Sequence, residues 1–150
     1  MFTPITPDEI EQLIKRHYQF LCDDFGFSIK KLSNYQYVAE AKNVKVNFNV
    51  EHGVNLVIEI EPVGEGASFL LRQNITPGTI SPISISRFYD SNLEYKVDMI
   101  DEQGFISNVP VELERRALLL QKYCTKMLLG DFSDWAAVKE DELARRRMKK

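Results

Sequence analysis

The chain has 150 residues, a mass of 17.4 kDa and a net charge of −3. That length suits one domain able to bury roughly 70% of its unfolded surface. With 44% hydrophobic and 27% charged residues, it does not read as a disordered chain, a collagen or a disulfide miniprotein. No stretch of 18 apolar residues occurs, so no membrane-spanning helix is expected. Met1-Phe2-Thr3-Pro4 lacks the basic and apolar regions of a signal peptide, so a cytoplasmic protein is expected.

The first predicted element is a helix. Thr6 is its cap, Pro7 its first residue, and Glu9 completes a Thr-x-x-Glu capping box. Ile10, Leu13, Ile14, His17, Leu21 and Phe25 recur at helical spacing, and Gly26 is the stop. This predicts one continuous helix with His17 on its inner side.

Strands follow. Val44, Val46, Phe48 and Val50 alternate with polar residues, as do Val54, Leu56, Ile58 and Ile60, while Tyr35, Tyr37, Ala39 and Ala41 make a third set. This is the period-two pattern of half-buried antiparallel strands. A two-residue Lys42-Asn43 loop pairs Ala39 with Val46 and Tyr37 with Phe48. For the next hairpin, a three-residue loop of Glu51-His52-Gly53 pairs Val50 with Val54, Phe48 with Leu56, Val46 with Ile58 and Val44 with Ile60. On the opposite face this register sets Glu40, Lys45 and Glu59 in one row and Gln36, Asn49 and Asn55 in another. The amide row is a candidate protein-contact surface; the alternative is a solvated face. A strand over 27–32 is expected to precede these three, with no register fixed by the pattern.

In residues 62–92, Pro62, Gly64, Gly66, Pro77, Gly78 and Pro82 break any long element. A short helix over Ser84–Asp90 and a strand over Leu93–Asp101 are expected. Pro110 opens the second long helix, whose stripe of Leu113, Ala117, Leu120, Cys124 and Met127 is widened by Leu118, Leu119 and Tyr123. A helix so broadly apolar is expected to lie between layers or to face a partner. Gly130 stops it, and Asp131 or Ser133 caps a last helix carrying Trp135, Val138 and Leu143. Trp135 is expected to be a buried wedge at the helix corner; the alternative is an exposed partner anchor.

Five cations lie in the last eight residues, which leaves −8 on residues 1–142. An acidic body repels phosphate backbones, so no nucleic-acid partner is expected. The basic end, 143–150, is expected to be mobile. Cys22 and Cys124 both fall in helical patterns, with no CxxC motif, and read as buried thiols. The two histidines, His17 and His52, stand in dissimilar settings, so no metal site is expected. No GxSxG, Walker loop, GxGxxG or HExxH is present, and no cofactor is expected. Gly64-Glu65-Gly66 is too short for a phosphate loop. The acid pairs Asp23-Asp24 and Asp98 with Asp101 suit helix ends and turns without catalysis.

The stretch Tyr123 to Trp135, with Leu128-Leu129-Gly130-Asp131-Phe132-Ser133 at its centre, resembles the C-terminal helix–Gly-Asp-Phe-Ser–helix of assorted small bacterial proteins. Some of these are similar to immunity proteins of contact-dependent toxin systems. The resemblance covers about a tenth of the chain and carries no catalytic residue across.

The fold expected over residues 1–150 is a single α+β domain. An N-terminal helix and two C-terminal helices pack on one face of a four- or five-stranded, mostly antiparallel sheet. The expected function is non-enzymatic protein binding, immunity-like in its most concrete form, with another protein or a second copy as partner. Trp135, Gln36, Asn49 and Asn55 are the candidate contact residues. The alternatives are a secretion-chaperone-like dimer and an enzyme using His17 with Asp23 or Asp24.

Overall fold

The capping box anticipated at the N-terminus starts the first helix. In a computed structural model describing residues 5–51, 55–72, 82–84 and 109–133, with Trp135 and Ala137, the Glu9 N–H donates to Thr6 Oγ1 at 3.2 Å. The Thr6 N–H donates back to Glu9 Oε1 at 3.4 Å. Helix α1 spans Pro7–His17 and α2 spans Gln19–Phe25. Gly26, in the left-handed region at φ 74°, closes α2.

The single helix expected here is broken at Tyr18, whose φ of −112° and ψ of 8° leave helical geometry. Tyr18, not His17, is the core residue. Its ring is fully buried edge-on to Phe48, at 4.8 Å between centroids, and its hydroxyl donates to the Leu113 carbonyl at 2.8 Å. A tyrosine can bury its large ring once its polar tip finds an acceptor. His17 is left half-buried. Tyr18→Phe is expected to destabilise the chain by about 1 kcal/mol, measured by urea unfolding; an unchanged midpoint would show that the hydroxyl contributes nothing.

Strands β1 (Ser28–Ser33), β2 (Gln36–Glu40), β3 (Val44–Glu51), β4 (Asn55–Pro62) and the two-residue β5 (Ile83–Ser84) form an antiparallel sheet in sequential order. The β2–β3 register is the one derived above: Ala39 faces Val46 and Tyr37 faces Phe48. The β3–β4 register is corrected by two residues. Glu51 pairs with Asn55, Val50 with Leu56, Phe48 with Ile58, Val46 with Ile60 and Val44 with Pro62. A shift of two leaves every apolar residue on the same face, so alternation cannot detect it. The polar face decides. This register sets Lys45 opposite Glu61, Nζ to Oε1 at 3.4 Å, and lets Asn47 Nδ2 donate to the same oxygen at 3.3 Å. Glu59 therefore faces Asn47 rather than Lys45.

Residues 64–72 correct the expectation of a broken region: Gly64–Arg72 is a helix, α3. Ser84 belongs to β5 rather than to a helix. The remainder of the Ser84–Asp90 helix and the Leu93–Asp101 strand lie outside the described residues, as do the His52-Gly53 turn, most of the last helix and the basic end 143–150.

The second long helix is α4 (Val109–Tyr123), followed past a bend at Cys124 by α5 (Thr125–Leu128). At the bend the Thr125 hydroxyl donates to the Gln121 carbonyl, the back-bonding that bends helices. Leu113, Ala117, Leu120, Cys124 and Met127 are buried as expected. Leu118 is not: it is 62% exposed, so the stripe is narrower than the sequence suggested. The stripe instead admits a charged pair. Arg116 Nη2 lies 3.6 Å from Glu112 Oε1, and Arg116 Nη1 donates to the Leu56 carbonyl at 2.9 Å, tying α4 to the start of β4. Burial is tolerated because the carboxylate meets both Arg116 and, at 3.5 Å, Arg115, while the Arg116 guanidinium also meets backbone. Helix α1 packs on α4, α4 on β4 and α2 on β1, so the core lies between one sheet face and the helices.

Candidate functional site

The sheet's outer face separates the amide row. Gln36 and Asn49 are directly paired, but Asn49 faces Val57 on its other side, and Asn55 sits opposite Glu51. Gln36 is exposed and Asn49 half-buried. The three amides therefore do not share a row, a direct consequence of the two-residue shift. Trp135 is far from them in setting. Its ring is fully buried and stands edge-on to Phe132 at 5.6 Å, which is the wedge anticipated at the helix corner and leaves no ring surface facing outward. Just before it, Asp131 Oδ1 accepts from the Ser133 N–H at 3.0 Å. That bond and the Ser133 hydroxyl hold the Asp131 carboxyl below its ordinary range.

His17 makes no ion pair with Asp23 or Asp24 among the described residues. Both acids are exposed, and Asp23 accepts from Gln19 Nε2 at 3.2 Å. No group of three or more His, Cys, Asp or Glu side chains able to hold a metal occurs among the described residues, and none of the described helices is long and apolar enough to cross a membrane.

The two thiols differ. Cys124 is fully buried, and burial pushes its pKa up to about 12. Cys22, expected to be buried, is half-exposed. Iodoacetamide at neutral pH is therefore expected to label Cys22 in the native protein and Cys124 only after unfolding, because the thiolate is the reacting form. Mass spectrometry of the peptides checks this; equal labelling of both in the folded chain would contradict the burial of Cys124.

Cavities of about 180–260 Å³ indent the described surface. All are smaller than the roughly 300–1,000 Å³ usual for small-molecule sites. The one lined by the most charged side chains of these is a groove of about 250 Å³ between α1–α2 and the core-facing side of β1 and β2. Tyr37 and Ile29 form its sheet wall, Ile14 and Cys22 its helix wall, and the carboxylate of Glu11 lines it together with Lys15 and Lys31. Tyr37 is 4% exposed, and its hydroxyl has no hydrogen-bond partner among the described residues. Burial, with the carboxylates of Glu11 and Asp8 adding to it, raises the Tyr37 pKa, so the phenol stays protonated at neutral pH.

The groove borders the edge of the sheet. Among the described residues β1 pairs only with β2, and all its side chains except the half-buried Ile29 are exposed. A bulge between Lys31 and Ser33 puts Leu32 out at 62% exposure, and Tyr35 beyond the turn is 36% exposed. Lys30 reaches Glu40 at 3.7 Å on the outer side, whereas Lys31 lies on the core-facing side, directly across from Tyr37. Sequence reasoning missed Lys31 and Tyr37 as a pair because the β1 register was open. Once it is fixed, the signal is plain: a lysine stands on the inner side of an alternation.

These features define an antiparallel α+β meander with its helices on one face and an exposed, lysine-bearing edge strand. No protein-family model matches the chain, and no curated protein or solved structure matches it either.

Proposed function

We propose that this chain is a non-enzymatic, cytoplasmic protein-binding domain whose partner engages β1 and the Leu32–Tyr35 hairpin. The observation that carries the reading is the β1 edge: a formed strand, open on one side among the described residues, with two exposed apolar side chains at its end. Open edges accept a further strand through backbone hydrogen bonds, and an exposed leucine with an aromatic supplies apolar area. The free thiols of Cys22 and Cys124 suit a reducing compartment.

A different protein fits this edge better than a second copy. Two β1 strands paired about a two-fold axis through their centre would set Lys30 opposite Lys31, like charge against like. The most concrete version is immunity-type, with a toxin as partner. Co-expression with the neighbouring gene's product tests it. The expected result is co-purification and rescue of growth by the native chain, and loss of both with Leu32→Asp. Retention of both by Leu32→Asp would place the contact elsewhere. A chain that is an obligate dimer at micromolar concentration by light scattering would instead favour the secretion-chaperone-like alternative.

A further inference from the structure

We infer that β1 takes an extended partner segment, antiparallel to it, through the backbone groups of Ile29 and Lys31, and that the groove beside it receives an aliphatic side chain of that segment against Ile29. This rests on the strand-edge reading above and names the register and the side-chain class that the edge selects.

Hydrogen-bond parity in the sheet fixes which groups are open. The Val50 N–H donates to the Tyr35 carbonyl and the Ala41 N–H to the Val44 carbonyl, both at 2.9 Å. By alternation, Tyr37 and Ala39 also turn their backbone groups to β3, and Gln36, Val38 and Glu40 turn theirs to β1. Opposite Glu40 and Val38 stand Ser28 and Lys30. Ile29 and Lys31 are left with N–H and C=O directed away from the described sheet. The window is short. At one end the Phe27 N–H donates to the Leu21 carbonyl at 3.0 Å, and at the other the bulge after Lys31 breaks the ladder. Two residues with one donor and one acceptor each suit a segment of roughly three to five residues. Antiparallel addition pairs both residues directly, as in every pairing of the described sheet, and is the more stable ladder.

Side-chain chemistry follows from that register. Directly paired residues share a face, so the segment's residues opposite Ile29 and Lys31 both point to the helix side. Beside Ile29 the groove offers apolar surface from Ile29 and Cys22, both half-buried, and from Ile14. The Glu11 carboxylate in the same groove is matched by Lys15 at 3.6 Å and repels an acidic occupant. An aliphatic side chain gains burial there and brings no polar group that needs a partner. Lys31 sets the other position. It is exposed, so its ammonium stays in water while its stem lies along a short polar neighbour. A bulky apolar neighbour would cover the charge, the means by which an edge lysine rejects indiscriminate strands. Along the segment, the pattern is a short polar residue, any residue, then an aliphatic one.

The probe is a capped pentapeptide of threonine with isoleucine at its fourth position; its counterpart carries serine there. Each is titrated into the full-length ¹⁵N-labelled chain to about 10 mM, a range suited to a single weak strand contact. The isoleucine peptide is expected to shift the amides of Ile29 and Lys31, to slow alkylation of Cys22, and to bind about tenfold more tightly than the serine peptide. Methylating the isoleucine nitrogen is expected to abolish binding, and methylating the central threonine nitrogen, which points away from β1, to leave it unchanged. In the free chain the Ile29 and Lys31 amides are expected to exchange with deuterium about tenfold or more faster than that of Lys30, which faces β2. Equal binding of both peptides at β1, or the reverse methylation pattern, would overturn the register and groove reading and leave the strand-edge reading standing. Shifts from neither peptide, or protection of the Ile29 and Lys31 amides in the free chain, would overturn both. Shifts at these amides that grow with chain concentration in the absence of peptide would give the edge to a second copy and likewise overturn both.

Discussion

Replacing Trp135 with alanine is expected to cost roughly 3–5 kcal/mol of stability. For a chain of this length that corresponds to a fall in the thermal midpoint of about 10 °C or more. The ring is wholly buried, and it packs edge-on against Phe132, itself 1% exposed. Its backbone N–H donates to the Phe132 carbonyl at 3.0 Å, so ring and turn are fixed together. The void left by alanine opens beside Phe132, and a close-packed interior relaxes only partly around such a loss. Urea unfolding followed by circular dichroism reads the loss directly; a cost under about 1 kcal/mol would mean the ring lies at the surface in solution. Fluorescence of the native chain gives an independent check, since a buried indole emits to the blue and resists iodide quenching. Trp135→Phe keeps part of the apolar volume and is expected to lose roughly half as much.

The parts of this fold legible in the sequence are those in which one residue type has one local use. The Thr6–Glu9 capping box is an example, since two side chains and two backbone donors satisfy each other within four residues. The pairing of Tyr37 with Phe48 is another, because a tight loop leaves a single register. The β3–β4 hairpin shows where such reasoning stops. Alternation fixes which face a residue occupies but is blind to a slide of two, and the deciding contacts were the polar ones, Lys45 and Asn47 on Glu61. The second helix shows the same limit from the other side. Glu112 and Arg116 count as polar in any periodicity, yet they are buried because each is the other's partner, while Leu118 counts as apolar and is exposed. The candidate site was unreadable for a related reason. Lys31 and Tyr37 come together only through the β1–β2 register, and the bulge after Lys31 removes the regular alternation that would have announced it.

Gly66→Ala is expected to destabilise the chain by about 3 kcal/mol, against a propensity argument pointing the other way. In an exposed helix interior, alanine is favoured over glycine by about 1 kcal/mol, and Gly66 lies within α3. Space overrules propensity here. A Cβ at this position would stand 2.5 Å from the Asn43 carbonyl oxygen and 2.6 Å from Phe132 Cε2. The first neighbour is backbone in the β2–β3 turn, held in place because that carbonyl accepts from the Val63 N–H at 2.9 Å. The second is a buried ring packed on Trp135. Neither can yield as a flexible side chain would, and overpacking of this kind typically costs 1–3 kcal/mol or somewhat more. Gly26 supplies the contrast, since a Cβ there meets nothing within 4 Å and only its φ of 74° opposes substitution. Gly26→Ala is therefore expected to cost only about 1 kcal/mol, the strain of a left-handed residue. Urea unfolding of the two variants side by side separates a steric cause from a conformational one. If Gly66→Ala matched or exceeded the native chain in stability, the contact joining α3, the Asn43 turn and the Phe132–Trp135 corner would not be the rigid junction described above. Phe132→Leu in the Gly66→Ala background removes one of the two obstructions and is expected to restore part of the loss, a coupling that independent sites would not show.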